Sequence, residues 1–262
     1  MRRKTTIIAI TTALAVLVGA ASAFAAFNTY TASYPLTSNK AGSSGSPSAL
    51  GFTENFAATG TSGNRTAALT DIKTTIYGLV TNGKDFPTCS LAKIANAKSD
   101  SGCPKGAMVA SGSITAVLGP ANNPSQSAAG LIACAPKLHV WNAGQGKVVY
   151  FFISPASAHL CGPITTGLVG PYPGTLKQQG KNLVLNTPVP SYVSFPEPGF
   201  EGSLEGEHLV WPKLTTKVAG KTVAYAASVA CKKGKRPYST SFTAVLNGSS
   251  ETGSVSGSVA CK

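Results

Sequence analysis

Four of the chain's nine acidic residues fall within eleven positions, at Glu197, Glu201, Glu205 and Glu207, and His208 follows directly. Carboxylates at i and i+2 of a strand share a face with Cα atoms about 6.5–7 Å apart. A glycosidase acid/base pair needs its carboxyl groups ~5–9.5 Å apart, so Glu205 and Glu207 are the candidate catalytic residues. A calcium or other cation site is a second use of such a cluster. The plainest reading is a Gly/Pro-rich loop, Phe195 to Gly206, kept soluble by its carboxylates.

Little else in the chain points to catalysis. His139 and His159 stand alone among apolar or small residues, no G-x-S-x-G is present, and the only aspartates are Asp71, Asp85 and Asp100. Neither a phosphate-cradling Gly loop nor a dinucleotide fingerprint occurs, so no cofactor is expected. The six cysteines, Cys89, Cys103, Cys134, Cys161, Cys231 and Cys261, lack the close C-x₂₋₄-C pairs of a zinc site. Their even number suits an oxidising compartment. Fifteen pairings are open to six cysteines. Pairing between neighbours, Cys89 with Cys103, Cys134 with Cys161 and Cys231 with Cys261, closes each loop locally for about 3–4 kcal/mol per bridge.

A basic stretch opposes the acidic one. From His208 to Ser250 there is no Asp or Glu, whereas Lys213, Lys217, Lys221, Lys232, Lys233, Lys235 and Arg236 carry charge. Lys232, Lys233, Lys235 and Arg236 crowd one turn and form a candidate basic patch. Such a turn either guards a strand edge against aggregation or adheres to an anionic surface in a salt-dependent way. The aromatics a sugar would stack on exist in Trp141, Tyr150, Tyr172, Tyr192 and Trp211, although cores claim most such residues.

The elements that must position these groups begin after a secretion signal. Arg2, Arg3 and Lys4 precede an uncharged, mostly apolar run from Ile7 to Val18, with an A-x-A cleavage site at Ala23-Phe24-Ala25 and Ala21-Ser22-Ala23 as the alternative. The run is too short to span a bilayer, and no later stretch approaches the ~20 apolar residues required. Residues 1–25 are thus expected to be a signal-peptide helix, and 26–262 one domain. The signal takes three of the 22 Lys and Arg, so the net charge of +13 falls to about +10. An exported protein of that charge favours cell-wall polymer, acidic polysaccharide or lipid head groups over nucleic acid.

Within the domain the punctuation is that of β structure. Tyr30, Ala32, Tyr34 and Leu36 alternate with polar residues, as do Leu50, Phe52 and Phe56. Asp71–Val80, Met108–Leu118, Lys137–Trp141 and the doubly apolar Lys147–Ile153 read as strands, the last inside a sheet. Ser90 to Ala97 suits one or two helical turns capped by Ser90. Thr175–Lys177 and Leu183–Leu185 flank a turn, and Thr222–Ala230 is expected to pair with Ser239–Leu246 across the basic turn. Short strands without any long helical period predict an all-β, antiparallel sandwich of two sheets, with a jelly roll as one arrangement.

Phe86-Pro-Thr-Cys-Ser, then Gly102-Cys-Pro-Lys-Gly and Val109-Ala-Ser-Gly-Ser, resembles a block in exported proteins of high-GC Gram-positive bacteria (actinobacteria). The resemblance covers residues 65 to 115 and, more loosely, the Cys231-Lys-Lys-Gly-Lys turn. It implies a signal peptide followed by a β domain and transfers no catalytic residue. Pro87, Pro104, Gly102 and Gly106 beside its cysteines suit a compact knob on one edge of the fold. Separately, Glu205-Gly-Glu207 has a poor likeness to the E-x-D-x-x-E strand of jelly-roll glycoside hydrolases: Leu209 and Val210 stand where further polar residues belong. Two functions follow. The preferred one is a secreted, non-catalytic cell-envelope or extracellular binding protein, and the alternative is a secreted carbohydrate-active hydrolase using Glu205 and Glu207.

Overall fold

The computed structural model describes residues 26–153, 161 and 170–262, which are mostly antiparallel β. The expected signal peptide at 1–25, and His159, lie outside the described residues. In chain order the first strands are β1 (Asn28–Ser33), β2 (Ser48–Ala49), β3 (Phe52–Gly60), β4 (Ala68–Tyr77) and β5 (Leu79–Thr81). A single 3-10 turn (Gly83–Asp85) and α1 (Leu91–Ala97) precede β6 (Met108–Pro120), β7 (Ile132–Cys134), β8 (Lys137–Asn142) and β9 (Lys147–Ile153). After them come β10 (Tyr172–Gln179), β11 (Asn182–Pro188), α2 (Ser191–Ser194) and β12 (Phe200–Trp211). The last are β13 (Thr215–Val218), β14 (Lys221–Ala224), β15 (Ala226–Ser228), β16 (Lys235–Leu246) and β17 (Ser249–Ala260).

One antiparallel sheet dominates, in the order β1-β3-β12-β6-β8-β9-β10-β11-β4-β16-β17, with β7 attached to β6. Its two ends meet. The Phe27 N–H on the approach to β1 donates to Glu251 Oε2 of β17 at 3.0 Å. Tyr30 of β1 stacks on Phe242 of β16, ring centroids 4.4 Å apart. Gly253 of β17 makes room for that ring, since a Cβ there would stand 2.6 Å from Tyr30 Cε2. The expected pair of facing sheets is therefore replaced by one sheet curled until nearly closed. Bulges at Leu204/Gly206, Met108/Ala110 and Thr243/Ala244 supply bending of the kind such curling needs.

Strand alternation fills the interior. Phe52, Glu54, Phe56 and Ala58 of β3 are buried while Thr53, Asn55, Ala57 and Thr59 are not. On β9 both faces are covered: Val148, Tyr150 and Phe152 join the main core, and Val149 and Phe151 pack under α1 with Ile94, Ala107 and Trp141. The Cys89–Cys103 loop that carries α1 thus lies on the outer face of β8 and β9, in mid-sheet rather than on an edge. Ser90 caps α1 by accepting from the Lys93 N–H at 3.2 Å.

All three neighbouring disulfides form, Cys89–Cys103, Cys134–Cys161 and Cys231–Cys261. One expected pairing does not. Residues 222–230 contribute to β14, which pairs with β13, and to β15, which pairs with β2 and β5. β16 instead pairs with β4 and, across Asn247-Gly248, with β17. Those two turn residues have φ of 50° and 78°, the positive values that a tight hairpin demands and Asn-Gly supplies.

Candidate functional site

The bulge in β12 divides the acidic cluster. Before it, Gly202 and Leu204 face an interior void, while Glu201 and Ser203 turn to the other face. There Glu201 Oε1 accepts from the Ala68 N–H at 3.2 Å, and Arg65 Nε donates to Ser203 at 3.3 Å. Arg65 is itself buried, its guanidinium also held by the carbonyls of Pro120 and Asn123. After the bulge the inward residues are Glu207, Leu209 and Trp211, opposite Phe56, Glu54 and Phe52 of β3. Glu205 lies at the bulge, without a partner in the β6 register.

Glu207 is thereby brought to Glu54, a residue outside the cluster. Glu54 faces Leu209 across the ladder and is therefore diagonal to Glu207 on the same face, ~7–8 Å away by backbone geometry. Glu54 is 3% exposed. Its carboxyl accepts from Thr74 Oγ1 and from Trp211 Nε1, each at 3.4 Å. Tyr34 Oη lies 2.8 Å from Thr74 Oγ1 and 2.6 Å from Thr240 Oγ1, extending the network. The Glu207 carboxyl makes no side-chain hydrogen bond to the described residues, and it lines the void. Among the described residues, Tyr34, Tyr150 and Tyr172 complete the titratable surroundings of the pair, and no lysine or arginine joins them.

Burial without a counter-cation favours the neutral acids. It pushes Glu54 up to about 7, and it raises Glu207 well above the carboxylate range, with the Glu54 charge adding to the rise. The void beside Glu207 measures about 40 Å³ and is walled by Ile72, Ile114, Leu118, Phe152, Tyr172 and Val193. That volume holds about three waters. It falls far short of the ~300 Å³ at which pockets begin to enclose small molecules. The pair can share and hold protons, and the void beside it, as the described residues line it, is too small for a sugar chain.

The basic turn also divides. Arg236 is fully buried, where Nη1 donates to the Tyr77 carbonyl at 2.9 Å and Nη2 to Ser228 Oγ at 2.6 Å and Cys261 Sγ at 3.1 Å. Burial lowers its pKa, and its Nε has no partner among the described residues. Arg236 therefore leaves the surface patch expected of it and becomes an internal strut. Lys232, Lys233 and Lys235 remain exposed.

The antiparallel order gathers more cations around those three. At the end of the sheet where β16 begins and β17 finishes, segments 34–51, 78–107, 143–146, 180–181, 212–234 and 261–262 emerge together. They carry twelve lysines, all exposed, against two acids, Asp85 and Asp100. Asp85 is engaged by Asn82 Nδ2 at 2.6 Å. Asp100 Oδ2 is held by His139 Nδ1 at 2.6 Å and Trp141 Nε1 at 3.2 Å, fastening the α1 loop to β8. The other acids lie elsewhere: Asp71, Glu197, Glu201 and Glu251 toward the opposite end, Glu205 on β12, and Glu54 and Glu207 inside. No group of three or more His, Cys, Asp or Glu side chains suited to a metal occurs among the described residues. His208 is exposed and pairs with Asn55 at 2.7 Å.

Glu54 had a sequence signal. It stands midway between Phe52 and Phe56, the apolar positions of one strand face, so alternation alone turns it inward. The lysine-rich end had none beyond total charge, because its segments converge only through the strand order. Fold and site together define a disulfide-stapled, nearly closed antiparallel sheet with a buried carboxyl pair inside and a cationic end. Comparisons with protein-family models, with curated proteins and with solved structures find no match.

Proposed function

We propose that the protein is an exported, non-catalytic module that binds an anionic polymer of the cell envelope through the lysine-rich end of its sheet. One observation carries this reading: the segments at that end hold twelve exposed lysines, with Lys235 beside them, against two aspartates, both already engaged by neighbouring side chains. Such a surface attracts a polyanion at long range, and it does so more weakly as salt rises. Three disulfides, and the lack of a helix long and apolar enough to cross a membrane among the described residues, are compatible with an extracellular place. The 40 Å³ void beside Glu207 gives no support to the hydrolase alternative.

The test is retention of the mature protein on purified cell wall at low salt and at about 0.5 M salt. Strong retention at low salt that is lost at high salt is the expected outcome. Retention unchanged by salt contradicts the reading.

A further inference from the structure

A groove of about 360 Å³ opens on the outer face of the sheet, between α1 and the β9–β10 ladder. Its origin lies in two adjacent cross-strand pairs. Pro173 stands opposite Val149, and Thr175 stands opposite Lys147, all four on the outward face. Pro173 gives the first pair its apolar surface, with Val149 buried beside it under α1, and the second pair sets a hydroxyl beside an exposed ammonium. The start of α1 forms the far wall with Ser90 and Leu91. No acidic residue lines the groove among the described residues, and Lys177, two residues beyond Thr175, stands on the same face. In size the groove falls at the lower end of small-molecule pockets, ~300–1,000 Å³.

Neither purely apolar nor purely cationic ligands suit this mixture. The C–H face of a pyranose ring would pack on Pro173 and Leu91, with its hydroxyls toward Ser90 and Thr175 and an anionic substituent toward Lys147. We infer that this groove seats one residue of an anionic glycan, so that the polymer held by the lysine-rich end is a charged polysaccharide read unit by unit. The inference rests on the polyanion-binding reading above.

Calorimetry of the mature protein with two probes separates the two. One is a uronic-acid-containing oligosaccharide, the other polyphosphate of matched charge. The oligosaccharide is expected to bind at least about ten-fold tighter. Thr175→Trp, which fills the groove, should erase that preference while leaving polyphosphate binding within about two-fold. Methyl resonances of Val149 and Leu91 should shift with the oligosaccharide and not with polyphosphate, a readout that needs no variant. Equal affinity for the two probes, or a preference that survives in Thr175→Trp, overturns the groove and leaves the polyanion reading standing. Failure of the wild type to bind either probe overturns both.

Discussion

The interior of the sheet and its lysine-rich end each crowd groups of one sign, and they relieve the repulsion in opposite ways. Inside, Glu54 and Glu207 share a face with hydroxyls and an indole and, among the described residues, no cation, so burial raises both pKa values and favours the protonated acids. Outside, twelve lysines stay charged in water and leave neutralisation to salt or to a partner. Clustered like charge is therefore not one kind of signal. Enclosed, it makes stability depend on pH; exposed, it makes association depend on ionic strength.

Arg236 and its lysine neighbours put the largest number on that contrast. Arg236→Ala strands the Tyr77 carbonyl and the Ser228 hydroxyl in the core and should cost about 4 kcal/mol in chemical denaturation. Lys233→Ala, three positions away, should stay within about 0.5 kcal/mol. Similar costs for the two would erase the distinction between strut and surface. Removing the Cys231–Cys261 bridge as the double Ala variant comes next, at about 3–4 kcal/mol for a separation of 30 residues. Because that bridge anchors the chain beside Lys232 and Lys262, it should also weaken polyanion binding, which equilibrium binding below the melting temperature would detect.

The interior pair gives the pH dependence. Below the ordinary glutamate value of 4.5, Glu54 is protonated in folded and unfolded chains alike, and its contribution is complete. Between about 4.5 and about 7 the unfolded chain ionises while the folded one keeps its proton, so stability falls by about 3 kcal/mol as pH rises. Glu207 adds to the loss in the same direction. Glu54→Gln/Glu207→Gln should flatten the profile; denaturation midpoints that rise with pH in the wild type would contradict the account. The smallest effect belongs to Asp100→Asn, which weakens the tie to His139 and Trp141 for about 1 kcal/mol, read from the thermal midpoint.

Features that reside in a few adjacent residues were legible in the sequence. Ser90 caps α1, the doubly apolar Lys147–Ile153 lies inside the sheet under a covering loop, and the cysteines pair with their neighbours. What failed depends on distant partners. The curl of the sheet relies on bulges, and nothing in Leu204-Glu205-Gly206 announces that one residue is extra. Arg236 reads as the fourth member of a basic run until β4 and β15 close over it. The Asn247-Gly248 hairpin was present as a strong local signal, and it outcompetes the looser turn at 232–235 for β16.

The most direct test reverses charge at each end in turn. Lys232→Glu/Lys233→Glu/Lys235→Glu changes the cationic end, and Asp71→Lys/Glu251→Lys changes the other, with affinity for purified anionic wall polymer followed against salt. The account predicts that the first variant loses at least about ten-fold in affinity and shows a shallower salt dependence, while the second does not weaken. Equal losses at both ends, or no loss at the lysine-rich end, would contradict it.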